Sequence, residues 1–305
     1  MLNRRLFLKG SAAFGAATLG LGSYAFGIEP GLLMDITRYR VTPKLWPHGL
    51  SLKIAVVADI HACEPWMPVS RIREIVAATN ALAADLVVLL GDFNAGHPYV
   101  TGAVYPDQWG EALEALRAPL GVHAILGNHD WWHGAVPGMR SDGGESVRRA
   151  LRACGASVLE NDALRLKKDG QPFWLIGLGD QMAHPIARHR GFRGVDDLDG
   201  ALGEVTDAAP AILLAHEPFI FDRVPKRVAV TLCGLTLGGQ VNLPFLGPAL
   251  ASHRYGAKRV YGHMIEDDRH LIISAGLGTS IVPVRFMRPP EIVEVTIASP
   301  EALSA

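Results

Sequence analysis

Three short apolar runs, each followed at once by polar residues, constrain the fold of this chain more than any other feature. The runs cover residues 53–58, 86–90 and 122–126. Short, nearly continuous apolar segments are typical of strands that are buried on both faces. Helical spacing of apolar residues follows over 69–84, with Ser70 as the expected N-cap, over 106–118, with Pro106 near the first helical position, and over 146–153. This alternation predicts a parallel sheet with crossover helices.

The second half of the chain predicts more strands and fewer helices. Its short apolar runs, each predicted to be a strand, cover residues 158–159, 163–166, 173–177, 211–215, 228–233, 260–265, 271–274 and 292–297. The proline-punctuated stretch 29–51 predicts an irregular lead-in arm. Because the chain shows no internal repeat and no clear linker, we expect residues 29–305 to form a single domain with two packed sheets.

Composition excludes several classes of protein. The chain has 305 residues, of which 49% are hydrophobic and 19% charged, so it is long enough and apolar enough to bury a sizeable core. A formal net charge of −1 argues against a nucleic-acid partner, since such proteins usually carry a basic excess. Three cysteines cannot form a disulfide framework, so the fold must hold together by packing.

The N-terminus resembles a twin-arginine export signal. Residues 3–9 read Asn-Arg-Arg-Leu-Phe-Leu-Lys, which departs from the usual pattern only at the first position, and the 19 residues 10–28 carry no charge. We therefore predict residues 1–28 to be a signal that engages the twin-arginine export machinery. The protein would then be periplasmic or attached to the outer face of the cytoplasmic membrane. The segment is close to the length that spans a bilayer, so its retention as an N-terminal anchor stays open, as does an ordinary transmembrane or buried helix.

Polar side chains follow the predicted strands at the positions where each strand ends. They are Asp59, His61, Asp92, Asn128, His129, Asp130 and His216. In open α/β sheets ligands bind beyond the carboxyl ends of the strands, so we expect these side chains to converge on one crevice. Imidazole, carboxylate and amide groups together suit manganese, zinc or iron.

The spacing of these residues suggests individual roles. Asp59 and His61 are two apart on a predicted extended strand end, which would point both side chains the same way. Asp92 has two oxygens with which to bridge two metal ions. His129 is a candidate to protonate a leaving group, with Asp130 or another carboxylate orienting its ring. Taken singly, each residue also fits a structural role, such as a helix cap or a buried histidine.

Together, the ordered blocks Asp59-x-His61, Gly91-Asp92, 127–130 (Gly-Asn-His-Asp) and His216 resemble the calcineurin-like metallophosphoesterases. The tail, with Gly-Leu-Gly-Thr-Ser at 276–280, is similar to the exported or membrane-associated bacterial branch. The resemblance implies a four-layer αββα sandwich of two mixed β-sheets flanked by helices. It also implies that a metal-bound hydroxide hydrolyses a phosphomonoester, phosphodiester or pyrophosphate.

The resemblance further assigns two divalent transition-metal ions (Mn, Zn or Fe) to the crevice. It implies that Asp59, His61 and Asp92 hold one ion. It implies that Asp92, Asn128 and His216 hold the second, with His129 near the leaving group. The expected partner is a phosphorylated small-molecule or lipid substrate, with membrane association left open.

One block departs from the family pattern. Where the family has Gly-His-x-His before Gly-Gly-Gln, this chain has Gly-Leu-Thr-Leu at 234–237, and leucine has no lone pair to replace a ligand. Three hypotheses stay open: an inactivated variant, a natural relative that lost catalysis, or weaker metal binding with water or another histidine such as His253 or His263. A protein of another class, a catalytically inactive binding protein for a phosphorylated or lipid ligand, also fits this change.

Overall fold

The structure is a computed structural model, and it describes residues 15, 18–186, 191–248 and 259–299. The twin-arginine pattern and His253 lie outside the described residues, so the predictions made from them stay predictions. Residues 18–32 form an N-terminal helical segment, whose middle, Tyr24–Ile28, is a π-helix. Within the described part of the chain, no helix is both long and apolar enough to cross a membrane.

The strands that follow this segment are numbered here in chain order. They are β1 (Asp35–Val41), β2 (Leu52–Val57), β3 (Cys63–Glu64), β4 (Leu86–Leu89), β5 (Gly102–Ala103), β6 (Val122–Ala124), β7 (Ser157–Val158), β8 (Asp162–Lys168), β9 (Gln171–Gly177), β10 (His184–Pro185), β11 (Phe192–Arg193), β12 (Ala211–Ala215), β13 (Val228–Cys233), β14 (Asn242–Leu243), β15 (Gly247–Pro248), β16 (Gly262–Glu266), β17 (Arg269–Ile273) and β18 (Glu291–Ile297).

The α-helices after the N-terminal segment are numbered in the same way. They are α1 (Val69–Ala81), α2 (Pro106–Leu113), α3 (Asn128–Trp132), α4 (Glu145–Ala153) and α5 (Leu198–Gly203). Two short 3₁₀ turns cover Pro218–Asp222 and Leu237–Gly239.

Two six-stranded sheets dominate the described residues. The first has the order β1-β18-β2-β4-β6-β7, and the second has the order β16-β17-β13-β12-β9-β8. Strands β2, β4, β6 and β7 pair in parallel, which confirms the parallel arrangement predicted for the first half of the chain. Strand β18 returns antiparallel to β2, so the sheet is mixed.

Burial of both faces of each sheet creates four layers. Alternate residues of β2 and β4, such as Val57 and Leu89, pack against α1, α2 and α4 in one apolar cluster. Their neighbours, such as Val56 and Val88, pack against the second sheet in another cluster. The outer face of the second sheet packs against α5 and the first 3₁₀ turn. The predicted αββα sandwich is therefore confirmed, and both sheets point the carboxyl ends of several strands toward one edge.

Local predictions fail where side chains carry little apolar signal. The predicted lead-in arm contains β1, which was missed because it is an edge strand whose side chains are mostly exposed or half-buried. Helix α5 was also missed. Ser70 is not the N-cap of α1, because Pro68 occupies that position in an extended conformation and makes no side-chain cap. The same helix ends early, at Ala81, because Ala83 adopts a left-handed backbone with φ 48°.

Candidate metal centre

The structure brings the five predicted metal ligands together at the carboxyl ends of the strands. Asp59 follows β2, Asp92 follows β4 and His216 follows β12. Asn128 begins α3, four residues after the end of β6. His61 lies two residues beyond Asp59, and all five side chains are buried. The site therefore forms at the edge where both sheets end, as the strand pattern predicted, while metal binding by these residues stays a prediction.

Asp92 lies at the centre of the group. Its Oδ2 atom is 3.5 Å from His61 Nε2 and 3.3 Å from His216 Nε2. One ligand atom each from Asp59, Asp92 and His216 fall within 4.8 Å of one another. Three donor atoms at such spacing can surround a single cation.

Both imidazoles are held in one orientation by backbone carbonyls. His61 Nδ1 lies 2.9 Å from the carbonyl oxygen of Asn94, and His216 Nδ1 lies 2.7 Å from that of Leu90. A carbonyl only accepts, so each Nδ1 must carry the proton and donate it. The Nε2 atoms are thereby turned toward Asp92. This is the second contact that ligand histidines in metalloproteins usually make.

Buried polar atoms that lack a hydrogen-bond partner show whether these residues fit a metal ion. Asp59 Oδ2, His61 Nε2, Asn128 Oδ1 and His216 Nε2 are buried and have no hydrogen-bond partner. Leaving a buried polar atom unpaired costs about 1–3 kcal/mol, so four at one place need an explanation. Because all four belong to predicted ligands and are of types that bind transition metals, the donor set fits at least one divalent ion.

The loops that carry these side chains are held in left-handed conformations. Asp59 has φ 52°, His61 has φ 48° and Asp92 has φ 57°. The prediction that Asp59 and His61 lie on an extended strand end is therefore wrong, and the side chains converge because the chain turns there. Such conformations cost energy and are concentrated at functional sites. A Cβ on Gly127 would lie 2.4 Å from Asp92 Oδ1, so only glycine fits beside the central carboxylate.

Asp130 has a different task from the one predicted. Its carboxylate accepts hydrogen bonds from four backbone N–H groups, which belong to Asp92, Phe93, Asn94 and Gly127. With these contacts it ties the β4 loop to the start of α3. The prediction that Asp130 orients the His129 ring is wrong, because both oxygens point to backbone donors. Asp130 is a positioning residue in this structure.

His129 lies at the rim of the site in a chain of three side chains. Its Nδ1 atom is 3.0 Å from His133 Nε2, and its Nε2 atom is 3.2 Å from Ser280 Oγ. His133 Nδ1 lies 2.9 Å from the Gly134 carbonyl oxygen and must donate to it, so His133 Nε2 is an acceptor. His129 therefore donates from Nδ1. Neither partner of His129, His133 or Ser280, was predicted from the sequence. Helical i, i+4 spacing could have revealed His133, whereas nothing local marks Ser280.

Burial and charge set the protonation of the group. Burial alone would raise the pKa of Asp92, but the imidazoles of His216, His129 and His61 hold it below its ordinary value. Burial lowers the pKa of His61, and it lowers the pKa of His129 to about 3, with Asp92 opposing both shifts. Burial also raises the pKa of Asp59 to about 7, although His216 counteracts this. Near neutral pH, Asp92 is thus ionised, whereas the imidazoles of His61 and His129 are neutral.

His216 behaves differently from the other two imidazoles. Burial would lower its pKa, but the carboxylates of Asp92, Asp59 and Glu217 outweigh burial and raise it well above 6.5. The surroundings of Nε2 therefore favour positive charge. A proton or a metal ion would each supply that charge, so loading with metal would release the proton.

The Gly-Leu-Thr-Leu block at 234–237 forms a loop beside Asp59. The Leu235 N–H donates to Asp59 Oδ1 at 2.9 Å, and Leu235 and Leu237 have left-handed φ values of 70° and 51°. Thr236 Oγ1 donates to the Val260 carbonyl oxygen at 2.6 Å. Leu237 is buried. Its Cδ2 atom and the Asp59 side chain both lie close to Gly276. The loop is therefore tied to Asp59 through its backbone, and it buries the Leu237 side chain close to that predicted ligand.

Neither the two tryptophans after Asp130 nor His263 adds a metal ligand to the cluster. Trp132 lies beside His129, with ring centroids 5.1 Å apart, and stacks on Phe192. Trp131 instead packs against the helix-side core. His263 does not replace a lost ligand, because its Nε2 atom lies 2.9 Å from His270 Nδ1 on the edge hairpin of the second sheet.

Comparison with known proteins shows which family the chain is similar to. The family model for calcineurin-like phosphoesterases matches residues 52–264, a segment that contains every candidate ligand. The metallophosphoesterase YkuE of Bacillus subtilis is 32% identical over 98% of this chain and 98% of its own length. The phosphodiesterase YaeI of Escherichia coli is 27% identical over 96% of this chain and 98% of its own length. The UDP-2,3-diacylglucosamine pyrophosphatase LpxG of Chlamydia trachomatis is 24% identical over 88% of this chain and 90% of its own length.

Proposed function

Because the chain belongs to the calcineurin-like phosphoesterase family, we propose that it is a metal-dependent phosphoesterase whose substrate is a phosphomonoester, phosphodiester or pyrophosphate. The observation that carries this proposal is the cluster of Asp59, Asp92 and His216, with His61 beside it, in which three buried ligand atoms other than those of Asp92 have no hydrogen-bond partner. The activities of two relatives, a phosphodiesterase and a pyrophosphatase, support the reaction class.

The metal would be held by Asp59, His61, Asp92, Asn128 and His216. When bound, divalent ions supply Lewis acidity toward the phosphoryl oxygens and activate a water molecule as the nucleophile. Asp92 contributes the central negative charge, and the carbonyl-bound imidazoles keep their Nε2 atoms aimed at it. The carbonyl oxygens of Asn94 and Leu90 fix this orientation.

His129 would assist the leaving group. Its Nδ1–H is engaged by His133, so Nε2 is the nitrogen that can face a leaving oxygen. Burial lowers the pKa of His129. An anionic phosphate beside the ring would raise this pKa again and so favour the protonated imidazole. Nε2 would then donate its proton to the departing alkoxide or phosphate.

A second candidate function is favoured by the two leucines. By the resemblance of the block at 234–237, Leu235 and Leu237 would stand where the family has imidazoles, and leucine offers no ligand atom to a metal. A catalytically inactive protein that binds a phosphorylated or lipid ligand would need the crevice and not the full ligand set.

Turnover of bis-p-nitrophenyl phosphate with added Mn²⁺ separates the two functions. We expect measurable hydrolysis by the wild type, abolished in Asp92→Asn and retained in Asp107→Asn, an exposed carboxylate in the first turn of α2. Absence of turnover combined with protection against heat by inorganic phosphate would support the binding protein. Equal turnover in wild type and Asp92→Asn would contradict the proposed site.

A further inference from the structure

An unusual number of large apolar side chains are exposed on three segments near the site. We call them the apolar rim; they are Phe26, Ile28, Leu32, Phe245, Leu246, Ile281 and Met287. Phe245 is fully exposed, and Leu246 and Ile281 are 81% and 65% exposed. Single exposed apolar residues are ordinary, but a contiguous group marks an interaction surface.

Contacts in the structure join the three segments into one surface. Loop 279–288 lies in the middle, and Arg285 N donates to the Ala25 carbonyl oxygen at 3.0 Å. The buried Glu29 carboxylate accepts from the N–H groups of Met287 and Arg288, which fixes the N-terminal helical segment on this loop. On the other side, Asn242 N donates to the Phe286 carbonyl oxygen at 2.9 Å, which fixes the β14–β15 hairpin.

The same loop borders the candidate metal centre. Ser280 Oγ contacts His129 Nε2, and Ser280 N donates to Gln240 Oε1 at 2.5 Å. Ile281, the next residue, donates its N–H to the Gly96 carbonyl oxygen at 3.0 Å, four residues after Asp92. Ile281 of the apolar rim therefore directly follows Ser280, which contacts His129.

The backbone at the rim makes these side chains more unexpected. Phe245 and Ile281 both have φ 67°, and Met287 has φ 54°. Exposed left-handed positions favour glycine or asparagine, and a β-branched residue there is a clear outlier. Exposure removes any packing gain within the chain, so the structure accepts strain in order to present phenylalanine, isoleucine and methionine to the outside.

We propose that the apolar rim docks on a lipid bilayer and holds the candidate metal centre at the membrane surface, so that the substrate is a phosphorylated lipid headgroup. The identification of the substrate rests on the proposed function, whereas the docking does not. The N-terminal helical segment points to lipid as the occupant. Its residues 18–28 belong to the uncharged run 10–28, and they expose Leu19 and Leu21. Three basic residues, Arg4, Arg5 and Lys9, precede that run and complement anionic headgroups.

A polarity-sensitive dye tests whether the rim itself enters lipid. Phe245→Cys is labelled in the full chain, in a Cys154→Ser background, since Cys63 and Cys233 are buried. With vesicles of phosphatidylethanolamine and phosphatidylglycerol, we expect the dye emission to shift to the blue. The matched label is Leu45→Cys, which is 66% exposed and lies with Ala229 at the amino end of β13, opposite the site. We expect no shift there.

Sedimentation with the same vesicles gives a second measurement without a label. Removing two rim side chains in Phe245→Ser/Leu246→Ser should weaken binding about tenfold or more for each side chain, because burying a large apolar group is worth at least about one tenfold step. Leu45→Ser should bind as the wild type does.

Three results would overturn the proposal. The dye at position 245 could stay in water while the chain sediments with vesicles, in which case the N-terminus alone binds. The two labels could shift equally, which would show unspecific adsorption. A concentration-dependent shift without vesicles would show that a second copy of the chain covers the rim. No arm of the test uses turnover, so failure of the proposed hydrolysis would be seen separately.

Discussion

At the scale of single residues, Asp92 uses both of its carboxylate oxygens. Oδ1 accepts from the His129 N–H at 2.8 Å, while Oδ2 lies between the Nε2 atoms of His61 and His216. Asp130 holds the loop that carries Asp92 through backbone N–H groups. Replacing either residue would disturb the site, but only Asp92 offers an oxygen to a metal.

His133 gives the residue-scale prediction. In His133→Leu, His129 loses the acceptor for its Nδ1–H, so we expect kcat to fall about tenfold with little change in KM, since His129 acts on the leaving group. His133→Gln keeps an acceptor oxygen and should restore most of kcat. Nitrogen NMR of His129 provides a readout without turnover, because the loss of the acceptor allows the proton to move between ring nitrogens.

The control for this prediction is folding. His133 is largely buried, so the melting temperatures of both variants are compared with that of the wild type. Wild-type kcat and an unchanged His129 tautomer in a folded His133→Leu variant would contradict the role assigned to His133.

At the scale of elements, strand ends and the loops after them make the site. The loop after β13 keeps its main-chain hydrogen bond to Asp59 and the Thr236 contact to Val260 despite the two leucines. Neither contact involves a leucine side chain. The loop is therefore prepared to carry other side chains at 235 and 237.

Restoring imidazoles tests this loop. In Leu235→His/Leu237→His we expect higher metal content and a rise in turnover of about a hundredfold, because even partners outside the direct ligands are worth about 10–100-fold. Leu45→His controls for adventitious binding by a surface histidine. Unchanged metal content and turnover in the double variant would show that the leucines are not the defect.

The β16–β17 hairpin gives a pH prediction. Burial, and to a lesser extent His263, lowers the pKa of His270 from 6.5 to about 4. Between these values the unfolded chain binds more protons than the folded one, so stability falls as the pH falls through this window. His270→Gln should flatten this part of the curve of melting temperature against pH. Identical slopes in wild type and His270→Gln would contradict the assignment.

These elements show what the sequence could predict. Strands β2, β4, β12 and β13 were found because both faces of each are buried, which gives an unbroken apolar run. Strand β1 was missed because an edge strand needs few apolar residues. The left-handed turns at Asp59 and His61 follow from contacts to the β4 loop, and no spacing rule encodes them.

At the scale of the whole molecule, four layers bring distant parts of the chain to one edge. Polar residues after the apolar runs predicted which strand ends meet, and the family resemblance of these blocks implied the five ligand candidates. Ser280, 151 residues from its partner His129, could not be predicted, because only the path of the β17–β18 connection places it there. The apolar rim likewise combines the N-terminal helical segment with two loops from the other end of the chain.

Metal content shows most directly whether the buried cluster around Asp92 binds a divalent metal. The full chain is purified without chelator, loaded with Mn²⁺, desalted and measured by mass spectrometry of the metal. We expect at least about one bound ion per chain, lost in Asp92→Asn and kept in Asp107→Asn, because the buried, unpaired ligand atoms of the cluster suit a cation. Near-zero metal in the wild type, or equal metal in wild type and Asp92→Asn, would contradict this expectation.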